Sequence, residues 1–357
     1  MPGTLPPGLV FPLTRPRTIT VGGPAADVTD FTATAIQTAV DALGPRGGVV
    51  MLLAGVYDIA TPIRLPNHVD LVGSGRQTIL RKTEGVIALT SVDADYGELL
   101  VTVPDSTGFA PGMGVQVTER GAVDWQCSTS VITTVQPRCI HLRDRLIKDY
   151  AVSRGSTISN ACSIIEIIDA QHASVRNLTI DGQAASNEFL NGCRGGAIYI
   201  HRSSNCVVSG VHISDFNGDG ISWQITDEVV VGDCEVSGCT NFGLHPGTGC
   251  WRTFVAGCDV HHNGTDGLFV CWRVQQGSFE RNHIHHNGRH GISIGHKDTD
   301  NEFADNTIHH NGGCGFYFRP ETRANGSHRN HLTRNTISAN RQGAIAIDSS
   351  ATRVLVD

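Results

Sequence analysis

The sequence predicts an all-β protein folded as a right-handed parallel β-helix, a solenoid of stacked rungs, with an N-terminal capping helix and a small inserted β module. Three observations carry this prediction: a repeat of about two dozen residues, an amphipathic segment ahead of it, and a stretch that interrupts the rhythm. The composition agrees, because 41 glycines, 6% aromatic residues and 17% charged residues suit a tightly turning β protein better than a helical one.

The repeat is visible in three segments that superpose without a gap, residues 257–268, 281–292 and 305–316, which gives a period of 24. An apolar anchor marks each of seven predicted rungs: Ile180, Ile213, Val236, Val260, Ile284, Ile308 and Ile337. A glycine and a short alternating run follow the anchor, which predicts strand, turn and strand in each rung. One rung cannot bury its apolar side alone, so successive rungs must stack about 4.8 Å apart.

An amphipathic segment precedes the repeats. Ile36, Val40 and Leu43 share one helical face, and Asp30 or Thr32 can serve as the N-cap. The first rung of a solenoid is open at its end and exposes apolar side chains. We therefore predict that this helix plugs the first rung.

The presence or absence of the repeat divides the chain into three parts. Residues 1–97 are predicted to form the cap and the first rungs, and residues 161–357 the main β-helix. Between them, residues 98–160 break the repeat but contain short β-like runs. We interpret this stretch as an inserted β-rich module.

Charge and cysteine content exclude several classes of protein. Asp plus Glu exceed Lys plus Arg by 34 − 27 = 7, and there is no basic tail, so we expect no nucleic-acid partner. The sequence has no membrane span and no signal peptide at its start, so the expected location is cytoplasmic unless a signal was removed. Eleven cysteines, an odd number without a CxxC pair, are expected to be reduced.

Two kinds of polar column accompany the apolar one. Asparagines form the first, Asn263, Asn287, Asn311 and Asn340, where amides can hydrogen-bond along the stack. Histidine pairs form the second, His261-His262, His285-His286 and His309-His310. Imidazole columns can ligate zinc or copper, but we favour a surface ladder because no Cys, Asp or Glu shares these columns. We predict no metal site and no cofactor, since calcium is not indicated either.

The outward face of the strand after each rung's glycine, together with the turn behind it, is the candidate binding groove. Aromatic, cationic and titratable side chains concentrate there, where an ordinary solvated face would show Asp, Glu, Thr and Asn. The candidate binding residues are Tyr199, His201, Gln224, His245, Trp272, Arg273, Asp298, Tyr317 and Glu321. We expect them to face outward, because alternate residues of a strand point to opposite sides.

Together with the helix, the runs Gly47-Gly48-Val49-Val50 and Gly55-Val56-Tyr57 and the stacked Asn-x-Ile rungs resemble the pectate lyase and polygalacturonase superfamily of β-helices. The resemblance implies a polysaccharide or oligosaccharide substrate. Residues 290–295 are similar to the polygalacturonase sequence His-Gly-x-Ser-Ile-Gly, which implies an active-site role for His290. The adjacent Asp-Asp pair of polygalacturonases is missing, so we favour another reaction.

A cationic cluster suggests β-elimination. Arg273, Lys297 and Arg319 lie on three consecutive rungs and span about 10 Å, which matches a chain of acidic sugars. In β-elimination a cation neutralises the uronate carboxylate and a neutral base removes the α-proton. We assign the base to Lys297 or His296 and the carboxylate clamp to Arg319. The function we expect first is therefore a polysaccharide lyase acting on a uronate-containing polymer.

Two other functions remain open. A glycoside hydrolase or transglycosylase would use Asp219 and Asp266, two rungs and about 9.6 Å apart at the backbone, near the upper end of the inverting separation. A non-catalytic carbohydrate-binding or structural β-helix needs no catalytic pair. Its charges would then be turn residues in salt bridges with Asp298, Asp300 and Glu321.

The C-terminal end predicts either a small cap or a subunit contact. Only residues 349–357 follow the last rung, and their apolar segment is Val354-Leu355-Val356. An open rung exposes apolar side chains and unpaired strand edges. Either this segment folds back or another subunit covers the end, and we favour a homo-oligomer such as a trimer.

Overall fold

The protein is a right-handed parallel β-helix, which confirms the predicted fold class. The structure, a computed structural model, describes residues 17–121, 125–347 and 351–357. The N-terminal residues considered for a signal, and residues 348–350 of the C-terminal tail, lie outside the described residues. Within the described ranges, none of the helices is both long enough and apolar enough to cross a membrane.

Three long sheets of mostly short, parallel strands form the solenoid. The first sheet contains Thr18–Val21, Gly48–Leu52, Val69–Val72, Ser174–Arg176, Val207–Ser209, Val230–Gly232, Phe254–Ala256, Ser278–Glu280, Glu302–Ala304, His331–Thr333 and Leu355–Val356. The second contains Gly55–Ile59, Thr78–Lys82, Thr179–Asp181, His212–Ser214, Glu235–Ser237, Asp259–His261, His283–His285, Thr307–His309 and Thr336–Ser338. The third contains Ile63–Arg64, Ile165–Ile168, Ile198–His201, Ile221–Gln224, Leu244–Thr248, Leu268–Phe269, Cys271–Trp272, Ile292–Ile294, Phe316–Phe318 and Ile345–Ile347.

Strand pairing confirms the predicted rungs. The anchors from Ile180 to Ile337 pair in register along the second sheet. Leu80, one rung before Ile180, extends the same column. Because equivalent positions stack directly, the inward side chains of the three sheets form one continuous apolar core.

The asparagine column is a hydrogen-bonded ladder, as predicted. Asn287 Nδ2 donates to Asn311 Oδ1 at 3.0 Å and to the Val260 carbonyl at 3.0 Å. The Asn287 Oδ1 in turn accepts from the backbone and side-chain nitrogens of Asn263. The asparagines of the Asn-x-Ile rungs form an equivalent ladder, Asn282–Asn306–Asn335, and a further ladder that the sequence did not indicate joins Asn301 and Asn330. These amides satisfy backbone groups at the turns, where the strand ladders end.

The plug helix extends over Ala33–Leu43, as predicted. The Thr32 hydroxyl accepts from the Ala35 backbone nitrogen at 3.2 Å and is the N-cap. Ile36, Val40 and Leu43 are buried in the solenoid core. The helix therefore covers the first rung.

Short 3₁₀ turns lie at Gly44–Arg46, Gly75–Gln77, Val152–Arg154, Ala184–Ser186 and Arg323–Asn325.

The inserted module is a separate antiparallel sheet. Its strands are Ile87–Leu89, Leu100–Thr102, Gly114–Thr118, Ser128–Gln136, Cys139–Leu142 and Thr157–Ser159, and they enclose their own apolar core. Ile87–Leu89 pairs with Thr157–Ser159, so the module begins before residue 98. The sequence boundary was late because a short apolar run looks the same in either sheet.

The C-terminal segment folds back onto the last rung. Leu355–Val356 pairs in parallel with His331–Thr333, and Val354 packs against the core. Leu355 itself is exposed. The segment thus adds a strand to the first sheet, but Ile347 and Val356 are exposed as well, so both the short cap and the homo-oligomer stay predictions. All eleven cysteines lie in the described residues and are free thiols, as expected.

Candidate functional site

The outer face of the third sheet carries most of the side chains that the sequence singled out. Strand pairing aligns one position of each rung, the outer column: Arg64, Glu166, Tyr199, Ser222, His245, Phe269, Ser293 and Tyr317. These side chains point away from the core because they alternate with the inward Ile165, Ile198 and Ile292.

Much of this face is nevertheless buried, although the sequence analysis expected it to face solvent. Ser293 is completely buried, and His245 and Gln224 are each 3% exposed. The side chains point away from the core as predicted, but neighbouring turns cover this face of the sheet. Gly192, for example, lies so close to Asp219 that a Cβ at this position would be 1.6 Å from Asp219 Oδ2. Glycine is thus the residue that lets this turn close over the sheet.

A cavity of about 690 Å³ lies where the inserted module meets the solenoid, and we call it the junction pocket. Its charged and aromatic lining includes Arg64, Arg143, Asp144, Arg145, Glu166, Asp169, Arg194, Tyr199, His201 and Arg202. Tyr199 and His201 were both predicted as binding residues. The other candidate residues of the sequence analysis do not line this pocket.

Glu166 is the carboxylate at the floor of the junction pocket. It is 8% exposed, and Arg64 Nε donates to its Oε2 at 2.9 Å. Burial raises the pKa of Glu166 to about 7, while the charge of Arg143 opposes the rise and Asp144 adds to it. A carboxyl group of this kind holds a proton in a substantial fraction of molecules at neutral pH.

His201 and Tyr199 form the adjacent wall, with ring centroids 5.7 Å apart and nearly parallel planes. Burial and, after it, the charge of the neighbouring Arg202 lower the pKa of His201 to about 4. Burial also raises the pKa of Tyr199, whose hydroxyl donates to the Cys193 carbonyl at 2.9 Å. At neutral pH the pocket therefore presents a neutral imidazole beside a partly protonated carboxyl group.

Arginines surround these groups. Arg202 forms a bidentate pair with Asp169 at 2.6 Å, and Arg143 pairs with Asp144 at 2.7 Å. Arg194 and Arg145 instead donate to backbone carbonyls, those of Trp125 and Gly97. Hydrogen bonds to carbonyls leave the guanidinium charge in place, so these two arginines can attract a carboxylate that enters the pocket.

Farther along the outer face, the polar side chains bind one another in what we call the closed network: Asp219, His245, Asp266, Arg289, Ser293, Asp298 and Arg319. Its first part is a pair in which Asp219 Oδ2 lies 2.7 Å from His245 Nδ1. Asn241 Nδ2 donates to the other oxygen of Asp219 at 2.7 Å. The His245 ring lies edge-on to Phe242 and Phe269, and its Nε2 is buried without a hydrogen-bond partner among the described residues.

Asp266 is the second buried carboxylate of the closed network. Arg289 donates to both of its oxygens at 2.7 Å, and the Ser293 hydroxyl and the His290 backbone nitrogen donate at 2.7 and 2.9 Å. Asp219 and Asp266, the predicted hydrolase pair, are both completely buried. Asp266 makes four hydrogen bonds with protein groups and Asp219 makes three, which leaves little capacity to activate water.

Arg319, the predicted carboxylate clamp, also belongs to the closed network. Its Nη1 donates to Ser293 Oγ at 2.9 Å and its Nη2 to the Val270 carbonyl at 2.6 Å, while the guanidinium stacks 4.4 Å above the Phe269 ring centroid. Nη2 also lies 3.5 Å from Asp298 Oδ2. Burial raises the pKa of Asp298 to about 7, against the charge of Arg319.

The remaining predicted residues lie around the turn behind the closed network. His296 stacks on Trp272 and lies 3.3 Å from Glu321, between Nδ1 and Oε2. Lys297 and Arg273 are exposed.

His290 and Tyr317 lie farther along the outer face. They stack with ring centroids 4.2 Å apart, and His290 Nδ1 accepts from the Cys314 backbone nitrogen at 3.0 Å. Gln224 binds Ser222 and the Thr248 backbone nitrogen. The structure thus assigns these groups to stacking and hydrogen bonds within the protein.

The histidine columns stack as predicted, on the outer face of the second sheet, and we call them the histidine ladder. His261, His285 and His309 form one stack, with centroids about 5 Å apart, and His262, His286 and His310 form the other. The acid that comes close to the ladder lies in the neighbouring column, two residues earlier on the same strand face. Asp259 pairs in register with His283 and touches both His283 and His285.

Sequence reasoning missed Glu166, although a signal was present. The run Ile165-Glu166-Ile167-Ile168 places a single acid inside an apolar strand, and Glu166 pairs directly with the predicted Tyr199. Asp, Glu, Lys and Arg are rarely buried without a specific role. A single acid in an apolar strand, next to a candidate binding residue, could therefore have identified Glu166 as a site residue.

Comparison with solved structures agrees with the fold. A polygalacturonase from Erwinia carotovora ssp. carotovora matches 96% of this chain and 79% of its own at 14% identity, with a TM-score of 0.50. The Dettilon tailspike protein matches 87% of this chain and 48% of its own at 13% identity, with a TM-score of 0.55. A GH87 α-1,3-glucanase from Streptomyces thermodiastaticus strain HF3-3 matches 93% of this chain and 55% of its own at 15% identity, with a TM-score of 0.52. Identities this low show a shared fold.

Comparison by sequence gives the family. No curated protein matches the chain. The family model described as "Right handed beta helix region" matches residues 163–319 and 196–357, which together are more than half of the chain. The matched residues are the rungs whose columns are described above. The chain therefore belongs to the family of right-handed β-helix region proteins.

Proposed function

We propose that the protein is a polysaccharide lyase that cleaves a uronate-containing polymer in the junction pocket. The observation that carries the proposal is that Glu166, whose pKa is about 7, and the neutral imidazole of His201 line the same arginine-rich cavity. The similarity in fold to a polygalacturonase and an α-1,3-glucanase supports a polysaccharide substrate. The proposal keeps the reaction predicted from the sequence and moves its catalytic residues to the junction pocket.

Each pocket group has a role in β-elimination. Arg194 and Arg145 neutralise the substrate carboxylate, which makes the proton on the adjacent carbon more acidic. His201 removes that proton, and the electron pair forms a carbon–carbon double bond as the glycosidic carbon–oxygen bond breaks. Protonated Glu166 donates its proton to the leaving oxygen. Exchange with water then returns a proton to Glu166 and removes one from His201.

A hydrolase at the same pocket would also use protonated Glu166 as its acid, with water as the nucleophile. The products separate the two reactions, because elimination creates an unsaturated sugar that absorbs ultraviolet light. Hydrolysis creates reducing ends without that absorbance. A binding protein creates neither.

The test is a panel of uronate-containing and neutral polysaccharides, followed by both absorbance and reducing-end assays. We expect ultraviolet-absorbing products from a uronate polymer, and a loss of at least about 100-fold in turnover for Glu166→Gln, the range of general acid catalysis. Glu280→Gln, on the outer face of the first sheet, is the matched control and should retain full turnover. Reducing ends without absorbance, binding without products, or an active Glu166→Gln variant would overturn the lyase proposal.

A further inference from the structure

A cluster of possible metal ligands lies at the edge of the histidine ladder, where Asp259 and His283 meet His285 of the ladder. Asp259 Oδ1 lies 3.0 Å from His285 Nε2 and 3.2 Å from His283 Nδ1. The ligand atoms of these three side chains lie within 4.8 Å of one another. Two imidazole nitrogens thus converge on one carboxylate oxygen at the outer face of the second sheet.

Strand register explains why the three groups meet. Asp259 and His283 are paired positions on consecutive rungs, and His285 is two residues after His283 on the same strand. Residues two apart on a strand share one face. The backbone therefore holds all three side chains on one side of the sheet, and the cluster needs no rearrangement to form.

The second nitrogen of each imidazole is also engaged. His283 Nε2 lies 2.8 Å from His309 Nε2, and His285 Nδ1 lies 2.7 Å from His286 Nδ1. Metal-binding histidines usually donate their other ring nitrogen to a neighbouring acceptor, which fixes the tautomer and the ring orientation. His309 and His286 provide such acceptors here.

We propose that Asp259, His283 and His285 form a zinc site. Two imidazoles and one carboxylate, with a water at the fourth position, form a donor set that Zn²⁺ accepts. Tetrahedral zinc with bonds of about 2.0–2.1 Å separates its ligand atoms by about 3.3 Å. The 3.0 and 3.2 Å separations at Asp259 Oδ1 match this spacing closely, so small side-chain adjustments admit the ion.

A zinc ion at this position bridges the strands Asp259–His261 and His283–His285 of two consecutive rungs. Because the unfolded chain cannot hold the three ligands together, binding stabilises the folded state by mass action. The site lies on the second sheet, whereas the junction pocket involves the third sheet and the inserted module. Metal binding and the proposed lyase activity can therefore be tested separately.

The experiment is a calorimetric titration of chelator-treated, dialysed protein with ZnSO₄, with the thermal midpoint measured in the same samples. We expect one equivalent to bind and the thermal midpoint to rise. Co²⁺ in place of Zn²⁺ should give the visible absorption of a tetrahedral ion. Asp259→Asn and His283→Gln should each weaken binding by at least about tenfold, the scale on which even supporting groups of a metal site act.

His262→Gln is the matched control, because it removes a ladder histidine outside the three proposed ligands and should leave the stoichiometry and affinity unchanged. Several weak equivalents that survive His283→Gln would show general affinity of the ladder and overturn the site. The proposal would also be overturned if no zinc bound, or if His262→Gln lost as much zinc affinity as His283→Gln. The far-ultraviolet spectrum of each variant shows that the solenoid has folded.

Discussion

The two ends of the outer face of the third sheet use similar residues in opposite ways. In the closed network, Asp266 accepts from Arg289, Ser293 and the His290 backbone nitrogen, so its charge is compensated within the protein. In the junction pocket, Glu166 has one arginine partner and faces a cavity. A carboxylate with spare acceptor positions beside a cavity can act on a ligand, whereas one with every position occupied holds rungs together.

The largest expected effect breaks the closed network. Arg289→Ala leaves the completely buried Asp266 without its cation, and we expect the free energy of unfolding to fall by about 3 kcal/mol. Denaturant titration measures the change. The control is Arg329→Ala: Arg329 is 48% exposed like Arg289, but its partner Asp300 is 39% exposed. That variant should lose less than about 1 kcal/mol, and equal losses would contradict the contrast.

The next effect concerns the junction pocket and pH. His201 must be neutral to act as a base, so turnover should rise as pH passes about 4, the pKa of His201. Glu166 must be protonated to act as an acid, so turnover should fall as pH passes about 7, the pKa of Glu166. Each limb should change turnover roughly tenfold per pH unit. A profile of kcat/KM that is flat between pH 5 and 9 would remove Glu166 from the acid role.

The smallest expected effect is at Lys297, in the turn behind the closed network. Lys297 is exposed and lies outside the lining of the junction pocket, so Lys297→Ala should change turnover by less than about twofold and stability by less than about 0.5 kcal/mol. Steady-state kinetics on the same polymer measures it. Loss of turnover without loss of stability would return the catalytic base to the position first predicted from the sequence.

The sequence predicted the fold well because the rungs anchored by Val260, Ile284 and Ile308 repeat the same three signals, an anchor, an asparagine and a glycine. Ile284 and Ile308 pair as the 24-residue period requires. The site was harder to predict, because the repeat shows which residues share a column but not which parts of the chain cover that column. The burial of His245 depends on the turn at Gly192, and the pocket at Glu166 depends on the inserted module. Both are contacts between parts of the chain that follow no common repeat.

The asparagine ladders have a consequence for how the length of this protein can change. Each ladder amide closes hydrogen bonds to the rung on either side. Losing a few residues inside a strand would misalign every later amide, whereas gaining or losing a complete turn keeps all partners. Five extra residues between Ile308 and Ile337 are tolerated because they fall at the turn containing Arg323–Asn325, outside the columns. The solenoid can therefore lengthen or shorten by complete rungs, in steps of about 4.8 Å. Insertions of other lengths are confined to the turns between strands.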